Sequence, residues 1–144
     1  MPNNSAYFSL DRMLLSEFST RVRDALLQRF PEFEGHTRTS EDGSHIEIRF
    51  PHPSAPLELM ITTDRDEISI FFDRTHRHIG MCQNLSIDEQ ISRARQFLAG
   101  LFSGAMPLVR DARWSHISFY DDPTTWGHDP EEKLTFMTWQ TLTI

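Results

Sequence analysis

The sequence predicts an α+β fold: an antiparallel β-sheet with two helices packed on one face, in the order α–ββββ–α–βββ. Three observations carry this expectation. From Leu57 to Phe72 apolar residues recur at every second position, the period of strands with one buried face. On either side of that stretch they recur every three or four positions, the period of an amphipathic helix. Finally, Ser86-Ile87-Asp88-Glu89 is a capping box, which marks where the second helix starts.

The elements follow in order. Residues 1–8 read as a loose tail. A helix is expected over Ser9–Phe30, with Leu14, Phe18, Val22, Ala25, Leu26 and Phe30 on its buried face. Ser9 or Asp11 is its expected cap, and Pro31 stops it. Gly35–Phe50 reads as a hairpin turning at Glu41-Asp42-Gly43-Ser44, with Ile46, Ile48 and Phe50 alternating with Glu47 and Arg49. Pro51-His52-Pro53-Ser54-Ala55-Pro56 is then a stiff connector outside any ladder.

Leu57, Leu59, Ile61 and Thr63 form the next strand. After the turn Asp64-Arg65-Asp66, Ile68, Ile70 and Phe72 form the fourth, completing a four-stranded meander. Asp73-Arg74-Thr75-His76-Arg77-His78-Ile79 reads as a polar corner between strand and helix, with Asp73, His76 and His78 in a structural role. The second helix is expected over Ser86–Ser103. Ile87, Ile91, Ala94, Leu98, Leu101 and Phe102 give it a buried face, and Gly104 is placed to end it. Strands Leu108–Arg110, Trp114–Tyr120 and Leu134–Ile144 follow. Helices that bracket a meander cover one of its faces, and the other face here is polar at Glu47, Arg49, Glu58, Thr62, Glu67 and Ser69. Met60 and Phe71 are the exceptions and are candidates for a second packing surface.

The 144 residues suit one domain over 1–144, and eleven Phe with three Trp supply packing bulk. One cysteine, Cys82, allows no intramolecular disulfide and favours a reducing compartment. The N-terminal residues carry no signal-peptide pattern, and no apolar run approaches the roughly 20 residues of a membrane helix, so a cytoplasmic protein without membrane contact is expected. A net charge of −7 argues against nucleic acid as the main ligand. It suits a basic protein partner, although solubility explains it equally well.

His76 and His78 share one side of an extended chain and could together meet a metal, with Asp73 or His45 nearby. No HExxH or CxxC spacing adds a third ligand, so a structural role is the plainer reading and no metal is expected. Cys82 lacks a nucleophile context and reads as an idle thiol. There is no GxSxG, Walker loop or GxGxxG, and Asp64/Asp66 and Asp121/Asp122 fall in turns that want Asp anyway. Neither catalysis nor a cofactor is expected.

The segment Asp121–Glu132 reads instead as a binding element. It holds five acidic residues, no Lys or Arg, and two aromatics, Tyr120 and Trp126, at or beside it. Tyr120, Asp121, Asp122, Trp126, Asp129, Glu131 and Glu132 are therefore the candidate partner contacts, because aromatic anchors within an acidic rim suit a basic protein surface. The bland alternative is a surface loop whose Trp126 folds back onto the core.

The run Asp66–Ile79, the helix ending before Gly104 and the Arg113-Trp114 strand together resemble small bacterial immunity proteins of polymorphic toxin systems. The likeness covers about the middle half of the chain and rests on an alternating strand that ends in an F-D-x-x-H-x-H-type corner. It implies a protein, monomeric or weakly dimeric, that binds and neutralises a cognate toxin domain without catalysis of its own. Two other readings stand beside it. One is a secretion chaperone of the type III kind, similarly small and acidic. The other is a small metal-dependent enzyme using His76 and His78.

Overall fold

Helix α1 spans Glu17–Arg29 and starts later than the apolar periodicity implies. The computed structural model describes residues 14–80, 84–113, 116–120 and 133–142. The expected tail, Ser9, Asp11, Cys82, Trp114 and the segment from Asp121 to Glu132 lie outside these. The cap of α1 is Ser16, not Ser9 or Asp11. Its backbone is extended and its Oγ accepts from the Ser19 N–H at 3.0 Å, satisfying a donor of the first turn. Leu14, expected on the buried face, precedes the helix and is 89% exposed. Phe18, Val22 and Leu26 do face the core, with Phe30 at the C-cap. Pro31 ends the helix and opens a 3-10 turn, Pro31–His36, that buries Phe33.

Five strands then form one antiparallel sheet in chain order: β1 (Thr37–Thr39), β2 (Ile46–Pro51), β3 (Glu58–Thr62), β4 (Ile68–Phe72) and β5 (Thr75–Ile79). The expected meander had four strands and a corner. In place of the expected corner there is a hairpin: Asp73 and Arg74 turn the chain, and β5 returns along β4 with His78 opposite Ser69 and His76 opposite Phe71. Asp73 adopts φ 52°, the positive value that short hairpin turns use and that Asp tolerates. Pro51 also departs from expectation. It is the last residue of β2, opposite Glu58, and a strand end is where a residue without an N–H can be placed.

Helix α2 covers Ile87–Ser103 as expected. Ser86 Oγ accepts from the Glu89 N–H at 3.2 Å, and Gly104 closes the helix at φ 83°. Ile91, Ala94, Leu98 and Leu101 are buried. Gln90 is buried too, and its Oε1 accepts from the Ile68 N–H at 3.3 Å. The helices are joined through Arg95, whose Nη2 donates to the Ala25 carbonyl at 2.7 Å.

The last three strands do not extend the meander. β6 (Leu108–Asp111), β7 (Ile117–Phe119) and β8 (Leu134–Met137) make a separate antiparallel sheet in the order β7-β6-β8. The expected third strand to Ile144 stops at Met137, because Thr138–Thr141 turns on its own hydroxyl and backbone bonds and carries Trp139 into the core. There Trp139 meets Phe102 at 5.1 Å, Phe72 at 5.4 Å and Phe50 at 6.5 Å between ring centroids. A single apolar cluster runs from α1 through the inner face of the five-stranded sheet to α2, Ile117, Phe119 and Leu142.

Candidate functional site

Two surfaces hold the residues singled out from the sequence. The first is the face of the five-stranded sheet turned away from the helices. Strand alternation sends Ile46, Ile48, Leu59, Ile61, Ile68, Ile70 and Phe72 inward, all fully buried. The opposite set is Arg38, Glu47, Arg49, Glu58, Met60, Thr62, Glu67, Ser69, Phe71, His76 and His78. On its β1–β3 half the charges satisfy one another. Arg38 meets Glu47 at 2.9 Å, and Arg49 meets Glu58 at 2.7 Å and Glu47 at 3.5 Å. Burial acts to raise the Glu47 carboxyl pKa, but hydrogen bonds and charge from Arg38 and Arg49 outweigh it and leave it lowered.

The β4–β5 half is aromatic. Phe71 lies 5.8 Å from the His76 ring and 6.3 Å from His78, and the two imidazoles stand 4.9 Å apart. Ser69 Oγ is 2.7 Å from His78 Nδ1, and Glu67 Oε1 is 3.0 Å from the same nitrogen. A relay that activates a serine needs the hydroxyl and the carboxylate on opposite ring nitrogens. Here both crowd Nδ1, so the contacts orient His78 and do not make Ser69 a nucleophile. Among the described residues no group of three His, Cys, Asp or Glu side chains is placed to hold a metal ion. Asp73 serves a different purpose from the two histidines: its Oδ2 accepts from the Ile117 N–H at 2.8 Å and ties the β4–β5 turn to β7.

The second surface is the outward side of the three-stranded sheet. Tyr120 follows β7, is held by its N–H to the Pro107 carbonyl at 3.0 Å, and packs edge-on against Phe136 of β8 at 4.9 Å. Phe136 is 52% exposed, and only Leu14 among the described large apolar residues is more so. The acidic segment runs on from Tyr120 and re-enters at Lys133, whose carbonyl accepts from the Ala112 N–H at 3.1 Å. Those two anchors lie at opposite ends of β6, because β7 and β8 both run antiparallel to it. At the Lys133 end, buried Asp111 grips Arg113 with an Oδ2–Nη2 distance of 2.7 Å and accepts the Arg113 N–H at 3.0 Å. These bonds hold the Asp111 carboxyl below its usual range. Of the sequence-predicted contacts, Tyr120 is thus placed beside an exposed aromatic partner. Asp121, Asp122, Trp126, Asp129, Glu131 and Glu132 fall outside the described residues.

Sequence reasoning missed Phe136 and His52. Phe136 sits in an alternating run, Leu134-Thr135-Phe136-Met137, and its outward phase would have shown it once the strand's inner positions were known. His52 is buried, accepts at Nδ1 from the Ser54 and Ala55 N–H groups, both at 3.0 Å, and therefore donates from Nε2 to the Trp139 carbonyl at 2.7 Å. It is a structural pin, hidden in the sequence by the prolines around it. No helix among the described residues is long and apolar enough to cross a membrane. Comparison with family models, with curated proteins and with solved structures finds no match to this chain.

Proposed function

We propose that this protein acts by binding, and that it neutralises a cognate toxin domain in the manner its resemblance to immunity proteins implies. The contact surface is assigned to Tyr120, Phe136 and the acidic segment that continues from Tyr120 through Trp126 to Glu132. The observation that carries this reading is the Tyr120–Phe136 pair, an aromatic contact with Phe136 half in solvent, directly joined in sequence to five carboxylates. Aromatic side chains at the centre of an interface supply contact area at small entropic cost, while surrounding carboxylates speed encounter with a basic surface. The ion pairs on the open face of the five-stranded sheet are already closed, so that face has less to gain from a partner.

Co-expression with a toxin domain encoded by a neighbouring gene tests the reading. Growth should be restored, and the two chains should co-purify as a complex that weakens as salt rises. A toxin domain that stays active and unbound in the presence of this protein sinks it. So does rescue that persists undiminished when Tyr120 and Phe136 are both replaced by Ser.

A further inference from the structure

Two histidines of β5 stand side by side on the open face of the five-stranded sheet. His76 and His78 are two positions apart on one strand, so alternation puts both imidazoles on the same side, and their ring centroids are 4.9 Å apart. A shared metal ion requires a separation of this size. With a metal–nitrogen bond of about 2.0–2.1 Å each ring centre lies roughly 3.2 Å from the ion, so two rings at bond angles of about 90–109° stand roughly 4.5–5.2 Å apart.

The surroundings of His78 decide which of its nitrogens is open. Glu67 Oε1, a pure acceptor when ionised, faces Nδ1 at 3.0 Å, and Ser69 Oγ lies 2.7 Å from the same nitrogen. A lone pair on Nδ1 would confront the carboxylate, so the neutral ring carries its proton there and keeps its lone pair on Nε2. A carboxylate on the far nitrogen is the usual partner of a metal-ligating histidine, because it fixes the tautomer and the ring orientation and makes the ligating nitrogen more basic. His76 is exposed, and among the described residues its contacts are the rings of Phe71 and His78.

We propose that His76 and His78 bind one divalent first-row transition ion, copper(II) most tightly, with Glu67 as the positioning residue behind His78. Imidazole suits copper, nickel and zinc, and copper(II) heads the affinity order among them. Two protein ligands leave the remaining positions to solvent. Such an open site does not need the third His, Cys, Asp or Glu ligand that a closed one requires, and the described residues supply none. The cations of this face do not oppose the ion: Arg38 is paired with Glu47, and Arg49 with Glu58 and Glu47. Arg77, between the two histidines, falls on the other side of the strand. The site is separate from the Tyr120–Phe136 surface and stands or falls without it.

Copper(II) titrated into the full chain without an affinity tag tests the proposal, followed by calorimetry and electron paramagnetic resonance. About one equivalent should bind with the hyperfine pattern of two imidazole nitrogens, and nickel(II) and zinc(II) should compete more weakly. His76→Asn, at an exposed position, and His78→Asn should each weaken copper roughly tenfold or more. Glu67→Gln should weaken it about tenfold, the low end for such supporting partners, at an unchanged melting temperature. Absence of saturable binding overturns the proposal. Binding that survives in the His76→Asn/His78→Asn double variant does so too, since the copper would then sit elsewhere. An affinity indifferent to Glu67→Gln, with a lowered melting temperature, would make Glu67 a structural residue and overturn its positioning role.

Discussion

The outward faces of the two sheets answer the same problem in opposite ways. On the five-stranded sheet, alternation brings charged residues to the surface, where neighbouring strands pair Arg38 with Glu47 and Arg49 with Glu58, and Glu47 of the same strand also meets Arg49. Its apolar exceptions, Met60 and Phe71, are half-buried, with Phe71 flanked by His76 and His78. On the three-stranded sheet Phe136 remains half in solvent with Tyr120 against it. A face whose groups are matched internally gains little from association, because binding must replace contacts already made. An aromatic pair left partly exposed gains from burial by a partner.

The comparison can be broken at its foundation first. Leu98→Ala should cost about 2–5 kcal/mol in denaturant unfolding, because a fully buried side chain leaves a cavity under the five-stranded sheet. Losses under ~0.5 kcal/mol at both Leu98 and Phe18 would mean that the helices do not seal that face.

Phe136→Ala should weaken a cognate toxin domain by at least ~2 kcal/mol, as central aromatic anchors do, while leaving unfolding nearly unchanged. If Phe71→Ala weakens binding instead and Phe136→Ala does not, the roles of the two faces are reversed. His52→Ala should cost about 1–3 kcal/mol, since it orphans the Ser54 and Ala55 N–H groups and the Trp139 carbonyl. A neutral result in urea unfolding would show that water replaces the ring at no cost.

Smaller effects sharpen the picture of the charged face. A double-mutant cycle on Arg38 and Glu47 should return a coupling of about 0.2–1 kcal/mol that shrinks with salt, because the Arg38 side chain is 62% exposed. At the β1–β2 turn, hydrogen bonds from Ser44 and Ser40 lower the Asp42 pKa from 3.8 to about 2. A depressed carboxyl stabilises the fold above its unfolded value and loses that contribution as pH falls through the folded one. Asp42→Asn should therefore lower stability at neutral pH, where the ionised carboxylate contributes fully, and flatten the acid limb, so that variant and parent converge as pH falls from about 3.8 through about 2. An unchanged acid limb in the variant would rule the turn out as its source.

Much of the architecture was legible because periodicity and caps are local. The Ser86 box, the Gly104 stop, the turn at Gly43 and the inward phases of β2 to β4 can all be read from a few neighbouring letters. What escaped depends on distant partners. Strand β5 was hidden because Asp73-Arg74 lacks the glycine of a typical hairpin turn, and Thr-His-Arg-His-Ile is polar on both sides at a sheet edge. The division into two sheets was hidden because alternation fixes which face a residue takes and not which strand it pairs with. At the candidate site, Tyr120 stood out by its setting. Phe136 did not, since exposure is decided by whatever packs nearby, and His52 finds its acceptor 87 residues away.

The carboxylate of Asp73 links the folding of the two sheets through a single turn. The residue that turns β4 into β5 also holds the Ile117 amide, 44 residues further along, at 2.8 Å. That acceptor is in position only once the hairpin has closed, so the start of β7 is fixed by an event that belongs to the other sheet. During refolding, the Ile117 amide should gain protection from hydrogen exchange after the amides of β4 and not before. Asp73→Gly suits the positive φ of the turn and removes only the carboxylate. It should leave the hairpin intact while the second sheet forms later and opens more often, and simultaneous protection of both sheets in that variant would show that the tether sets no order.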